Sequence, residues 1–339
     1  MRGRRITKAS LIIIGIVMLC AYFYPLPYYV SKPGMAKELE PIIEVEGGTQ
    51  ADGSLMLTTI QMGKANVYTY AMANMADYWH IYDDEEIRRE NETDEEYEMR
   101  QLYMMEGSKE KAIISAFREA DRPYEVIFKG IYVYGLVDDM PAKDILQIGD
   151  RITKVNKKTL QSKQQFTDYI AKHKEGDVIN VEIIRDKKTI NKDIPLQVIP
   201  DSGKLGIGIL LIDDIEVKTT PHVSIDSEQI GGPSAGLMFS LEIYNQLVEE
   251  DITRGYKIAG TGTIDETGEV GAIGGIEQKI VAASKSGAEI FFAPNEKGSK
   301  DSNYAAAKKT AEEIDTEMEI VPVDTMEDAL EYLEQLEEK

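Results

Sequence analysis

With 339 residues the chain has room for two or three domains beside any short terminal segment. Its 60 acidic residues against 38 basic ones give a net charge of −22, which excludes a nucleic-acid partner, because phosphate binding needs concentrated Lys and Arg. Cys20 is the sole cysteine and lies in an apolar run, so the fold can rest on no intramolecular disulfide.

The run from Ala9 to Ser31 carries no charge. It is long enough to cross a hydrocarbon core as a helix, which takes about 20 residues. Arg2, Arg4, Arg5 and Lys8 precede it, and tyrosines 22, 24, 28 and 29 cluster near its far end. The basic flank and the aromatic cluster predict a cytoplasmic tail over residues 1–8, a single-pass anchor over 9–30 and a body outside the cell membrane. A cleaved signal peptide fits less well, because Pro25, Pro27 and bulky tyrosines stand where small residues would be needed.

Residues 31–122 form an extracytoplasmic region. The stretch 45–73 reads as extended, with a Gly-rich turn followed by β-prone residues. An acidic run over 83–98 reads as a solvated surface, and Asn91-Glu92-Thr93 has the form of a glycosylation acceptor, a short motif with a high chance rate. From Tyr97 to Ala120 the apolar positions Met104, Met105, Ile113, Ile114 and Phe117 recur at helical spacing.

Residues 123–202 alternate strand, short helix, Gly-Asp turn, strand, helix and hairpin. The stretch LQIGDRITKVNKKTL carries the Gly149-Asp150 turn into a strand. This order resembles a PDZ domain, a mostly-β module. The resemblance implies capture of extended peptides by strand addition, with the carboxylate-binding loop placed near Gly130, Ile131 and Tyr132.

From residue 203 to 339 strands and helices alternate, which predicts an α/β unit. In IGGPSAGLMFSLEIYNQLVEE the spacing of Leu237, Leu241, Tyr244 and Val248 predicts a helix, with Pro233 favouring its start and Ser234 in its first turn. A serine there can be a simple cap, or a nucleophile facing free N–H groups able to hold an oxyanion. A serine nucleophile needs a base. None of His80, His173 and His222 has a triad setting, and no HExxH zinc motif occurs. Lys279 lies on the helical face of Ile276 and Ala283, where desolvation would lower its pKa enough for it to accept a proton.

GGPSAG around Ser234, TGTI from Thr261 and GGIEQKIVAA around Lys279, in this order, resemble the proteolytic domain of Lon proteases (family S16). The resemblance implies Ser234 as nucleophile, Lys279 as general base and Thr261 as the residue orienting the lysine. Gly232, Pro233 and Ala235 would then border the oxyanion and the substrate backbone. The chain departs from the family at Gly231 and Thr263, where acidic residues are common. No GxxxxGK[ST] phosphate loop occurs, so no nucleotide, metal or other cofactor is expected.

The whole arrangement resembles the Lon-like proteases of Gram-positive bacteria. That resemblance implies one transmembrane helix, a PDZ domain and an α/β (α+β) Lon-type proteolytic domain, with the PDZ unit inserted so that strands near 45–73 pack on the catalytic part. It further implies ATP-independent endopeptidase activity on peptide or protein substrates, with assembly into hexamers. A catalytically inactive membrane-bound PDZ adaptor is the alternative, against which intact Ser234 and Lys279 stand.

Overall fold

The structure is a computed structural model that describes residues 2–89, 92–200, 202–227 and 230–339, with side chains from Ser10 onward. Asn91 of the acceptor-like motif lies outside the described residues, whereas Thr93 caps the following helix in a capping box with Glu96.

Helix α1 (Arg2–Phe23) leads into strand β1 (Pro25–Glu38). The apolar run is therefore divided, and an anchor reaching residue 30 is corrected. Pro25 and Pro27 lack the N–H that a continuing helix requires, and Tyr29, Val30 and Ser31 are buried in the sheet that follows. Leu11 to Leu19 of α1 are largely exposed. Among the described residues no helix is long and apolar enough to cross a membrane.

Strand β2 (Ser54–Asn66) pairs antiparallel with β1, and β3 (His80–Asp83) takes the other edge of β1. The extended reading of 45–73 holds as far as Asn66. Its last residues, Val67–Ala73, are instead a short helix, because the Asn66 side chain accepts from the amides of Tyr68 and Thr69 and starts a helical turn. Helix α2 (Asp94–Glu119) buries Met105, Ile114 and Phe117 as its periodicity predicts, together with Ser108, Ala112, Ser115 and Ala116.

A separate sheet follows, built from β4 (Tyr124–Leu136), β5 (Arg151–Val155), β6 (Val178–Arg185), β7 (Lys188–Pro195) and β8 (Ile209–Thr219), with helix α3 (Lys163–Ile170) between β5 and β6. The strand order is β8-β4-β5-β6-β7. Its core holds Ile131, Ile152, Phe166 and Ile183. Strand β8 pairs with β4 along its whole length, from Ile209↔Leu136 to Thr219↔Tyr124. A boundary at residue 203 is thus corrected: the smaller sheet claims the chain to Thr219, because β8 is its edge strand.

Helix α4 (Gly236–Leu247), β9 (Lys257–Gly260), α5 (Ile276–Lys285), β10 (Ile290–Pro294), α6 (Asn303–Glu313), β11 (Glu319–Val323) and α7 (Met326–Glu334) complete the α/β unit. The parallel strands β9, β10 and β11 continue the N-terminal strands in the order β11-β10-β9-β2-β1-β3. The parallel β2–β9 pairing, Leu55↔Ile258 to Leu57↔Gly260, joins segments on either side of the smaller sheet. The PDZ-like unit is therefore an insertion in the α/β unit.

Leu55, Leu57, Phe117, Phe239 and Phe292 share the main core. Helix α2 packs on α4 and also meets the smaller sheet, where Tyr103 lies 4.8 Å from Tyr132, ring to ring.

Candidate active site

Three segments separated in sequence converge at one point. Ser234 stands in a turn just ahead of α4, which begins at Gly236, three residues later than the proline signal suggested. Gly232 turns the chain before it with φ +85°, a conformation that residues with a Cβ rarely adopt. Leu237 donates its amide to the Gly262 carbonyl at 3.1 Å and Gly262 donates to the Ser234 carbonyl at 2.9 Å, so the nucleophile turn and the Thr261 segment hold each other. Thr261 itself follows β9 and donates its amide to the Phe292 carbonyl of β10.

Lys279 comes from the first turns of α5. Ile276, Ile280 and Ala283 turn that face of the helix into a core shared with Met56 and Phe291. The adjacent Gln278, fully buried, donates from Nε2 to Ser31 Oγ of β1 at 2.7 Å. Part of the apolar N-terminal run thus fixes the helix that carries the base.

Lys279 Nζ lies 2.7 Å from Ser234 Oγ and 2.8 Å from Thr261 Oγ1. Lys279 is only 3% exposed, and burial pulls its pKa down from 10.5 to about 7, with no carboxylate nearby to restore the charge. Thr261 Oγ1 donates its own proton to the Ser234 carbonyl at 2.9 Å. Its lone pairs then face Nζ and accept an amine hydrogen. A neutral amine held this way has its lone pair free for the Ser234 hydroxyl, which is the arrangement a general base needs.

The bordering residues divide. Gly232 donates its amide to the Gln101 carbonyl at 2.9 Å, and Pro233 has no amide to offer. Neither position therefore offers an amide to an oxyanion. Of the amides that follow Ser234, Gly236 donates to the Pro233 carbonyl at 3.4 Å and Leu237 to the Gly262 carbonyl, which leaves the Ala235 amide at the opening of α4 for that role. Gln101 and Ser108, both on α2, touch this turn, yet no motif marked them. Their helix reads only as an amphipathic one, and the spatial approach to residues 231–234 has no sequence signal.

The carboxylate-binding position near Gly130, Ile131 and Tyr132 is corrected as well. Those residues lie in β4, which pairs with β8 on one side and β5 on the other. An interior strand has no free edge for a peptide. Among the described strands of this sheet β8 and β7 lie outermost, and β8 is the one that the turn Gly206-Ile207-Gly208 enters, with Asp213 of β8 accepting from the Lys163 amide at the start of α3 at 2.6 Å. Gly208 has φ +82°, so this turn depends on glycine.

A Ser–Lys pair with its lysine buried, next to the segment that follows β9 of an α/β sheet, defines a hydrolase centre of the serine-peptidase class. Comparison with known proteins gives the particular type. Residues 212–335 match the Lon protease (S16) C-terminal proteolytic domain, and residues 101–196 match a PDZ domain. The chain thus carries a Lon-type serine peptidase domain and a PDZ domain.

The Lon protease of Campylobacter jejuni is 32% identical over 143 residues, which is 40% of this chain and 17% of that protein. The Lon protease of Campylobacter concisus is 27% identical over 204 residues, 58% of this chain and 24% of that protein. The chain therefore spans less than a quarter of the length of these relatives. The PDZ domain of an SdrC-like protein from Listeria monocytogenes is 39% identical, covering 26% of this chain and 93% of that one, with a TM-score of 0.25. The corresponding domain from Listeria innocua is 37% identical, covering 24% and 93%, with a TM-score of 0.24. The two domain matches assign residue 212 onward to the peptidase, whereas backbone pairing puts β8 to Thr219 in the smaller sheet. The pairing decides the point, since it extends along the full strand.

Proposed function

We propose that this protein is an endopeptidase that cleaves peptides and flexible protein segments by a Ser234–Lys279 dyad, without nucleotide. The observation that carries this reading is the 2.7 Å approach of a buried, depressed-pKa Lys279 to Ser234. Neutral Lys279 takes the Ser234 proton as Oγ attacks the peptide carbonyl. The Ala235 amide at the opening of α4 holds the oxyanion. The protonated amine then donates to the leaving nitrogen, and water, activated by the same lysine, releases the acyl group.

The absence of a GxxxxGK[ST] loop from these 339 residues supports action without ATP and, with it, substrates that need no unfolding. The PDZ unit supplies a second contact, an extended segment adding to the open edge of β8. Helix α1, with its exposed apolar side chains and preceding basic residues, is proposed as the anchor that holds the body outside the cell membrane, the arrangement of the Gram-positive Lon-like proteases. Assembly into a ring follows from the same likeness.

The test is turnover of an internally quenched fluorogenic peptide by wild type and by Ser234→Ala, each with and without ATP. Turnover by wild type alone, unchanged by ATP, is the expected result. Equal turnover by Ser234→Ala would discard the dyad, and strict ATP dependence would discard the nucleotide-free reading. Digestion of the body by proteinase added to intact cells tests the orientation, and full protection reverses it.

A further inference from the structure

Helix α2 precedes the smaller sheet in sequence and lies outside the segment matched to the Lon proteolytic domain, yet two of its residues grip the turn that presents Ser234. The Gln101 carbonyl accepts from the Gly232 amide at 2.9 Å. The Ser108 hydroxyl donates to the Pro233 carbonyl at 3.1 Å. The two residues are seven apart, close to two helical turns, so they share one face of α2. Between them Met105 is fully buried on that face. The turn thus lies along two helical turns of α2, held at Gly232 and again at Pro233.

Close packing reinforces both bonds. A methyl group on Gly231 would meet Gln101 Cβ at 2.7 Å, and one on Gly236 would meet Ile264 Cγ2 at 2.8 Å and Ser108 Oγ at 2.9 Å. Neither glycine has room for a side chain: α2 closes on Gly231, and α2 together with Ile264 closes on Gly236. Ser108 is 3% exposed, and without its hydroxyl the Pro233 carbonyl would keep only its longer contact, from the Gly236 amide at 3.4 Å.

The consequence for catalysis follows from peptide geometry. The Pro233–Ser234 peptide is planar and trans, so directing its carbonyl at Ser108 directs the Ser234 N–H the opposite way, off α2. The same plane sets where the Ser234 Cα–Cβ bond begins, and hence where Oγ stands relative to Lys279. A hydrogen bond on the Pro233 carbonyl therefore controls the orientation of the nucleophile without touching substrate.

We infer that Ser108, supported by the Gln101 carbonyl, is a positioning residue for Ser234, so that the catalytic geometry depends on a helix outside the Lon-type segment. This inference rests on the dyad reading above. Ser115 is the matched control. It lies on the same helix, is fully buried, and its hydroxyl meets only Met326 Sδ, at 3.4 Å, far along α2 from the nucleophile turn.

In the full chain, Ser108→Ala lowers kcat on a quenched fluorogenic peptide by on the order of tenfold or more with KM held within about twofold, since a small misplacement of a nucleophile is costly in rate. Ser115→Ala leaves kcat unchanged at a comparable loss of thermal stability. Ser108→Thr, which keeps the hydroxyl, regains most of the lost kcat. Hydrogen exchange over residues 231–236 provides a readout independent of turnover: protection falls in Ser108→Ala and holds in Ser115→Ala. If wild type itself turned over no peptide, the dyad reading would fail while the exchange measurement still decided the positioning role. The inference is overturned if exchange over 231–236 is the same in both alanine variants, or if kcat falls equally in both.

Discussion

The catalytic half and the PDZ half of this molecule expose two different kinds of site. At Ser234 the chemistry belongs to side chains: an amine 2.7 Å from one hydroxyl and 2.8 Å from a second. At β8 it belongs to the backbone, whose unpaired edge can be extended by another strand. A side-chain site is written in residue identity, so motifs find it. A backbone edge is decided by which strand lies outermost, and a motif search looks past it.

The sharpest way to break this contrast is to remove the amine. Lys279→Met should lower kcat/KM on a fluorogenic peptide by on the order of 10⁴-fold, as loss of a general base from a unit does. It should also change stability with a definite sign. The folded pKa of Lys279 lies near 7, below its unfolded value of 10.5, so between these values the unfolded chain binds more protons and stability from this group rises with pH. The variant should therefore be more stable than wild type at pH 6, and its advantage should shrink toward pH 10. Urea titrations at the two pH values check this, and a constant difference would mean the amine is not desolvated.

Thr261→Val comes next. It removes both the acceptor at 2.8 Å from Nζ and the donor to the Ser234 carbonyl, and should lower kcat by about 10- to 100-fold. An unaffected kcat would show that burial alone orients the lysine. The pH profile is a third measure: kcat should rise through pH 7 as Lys279 loses its proton, with half-maximal rate near that value. An acid limb near pH 10 would indicate an ordinary solvated lysine.

On the other side of the comparison, Gly208→Ala should weaken binding of an extended peptide by about tenfold, by straining the turn into β8 at φ +82°, while turnover of a short peptide stays near wild type. Chemical-shift changes on peptide addition should fall on 209–213. Changes confined to 130–132 would move the site back to β4. The smallest effect is expected from Ser31→Ala, which leaves the Gln278 amide donor without its described partner and should cost about 1–3 kcal/mol in a urea melt.

Much of the catalytic part was legible in advance. Leu237 and Leu241 at helical spacing, the small residues around Ser234 and the apolar face bearing Lys279 all carry local signals, and they pointed to two residues that lie 2.7 Å apart in the fold. The N-terminal run was legible only to Phe23. Apolar composition serves a membrane helix and a buried strand equally well, and Tyr29 to Ser31 enter the catalytic sheet only because β2 and β3 flank them. Val67–Ala73 escaped because one asparagine cap overrode β-prone residues. Gln101 and Ser108 escaped because their partners at 232 and 233 lie across the whole PDZ insertion in sequence.

The sequence by itself determined the candidate reacting groups. Ser234, Thr261 and Lys279 are set by residue type in ordered motifs, and no packing arrangement could supply a hydroxyl or an amine that the chain lacks. Tertiary structure alone decided which backbone groups are free: Gly232 is occupied by α2, β4 is closed on both edges and β8 is open. The reason is physical. A side chain carries its functional group wherever it goes, whereas every backbone amide is alike until pairing takes some and leaves others.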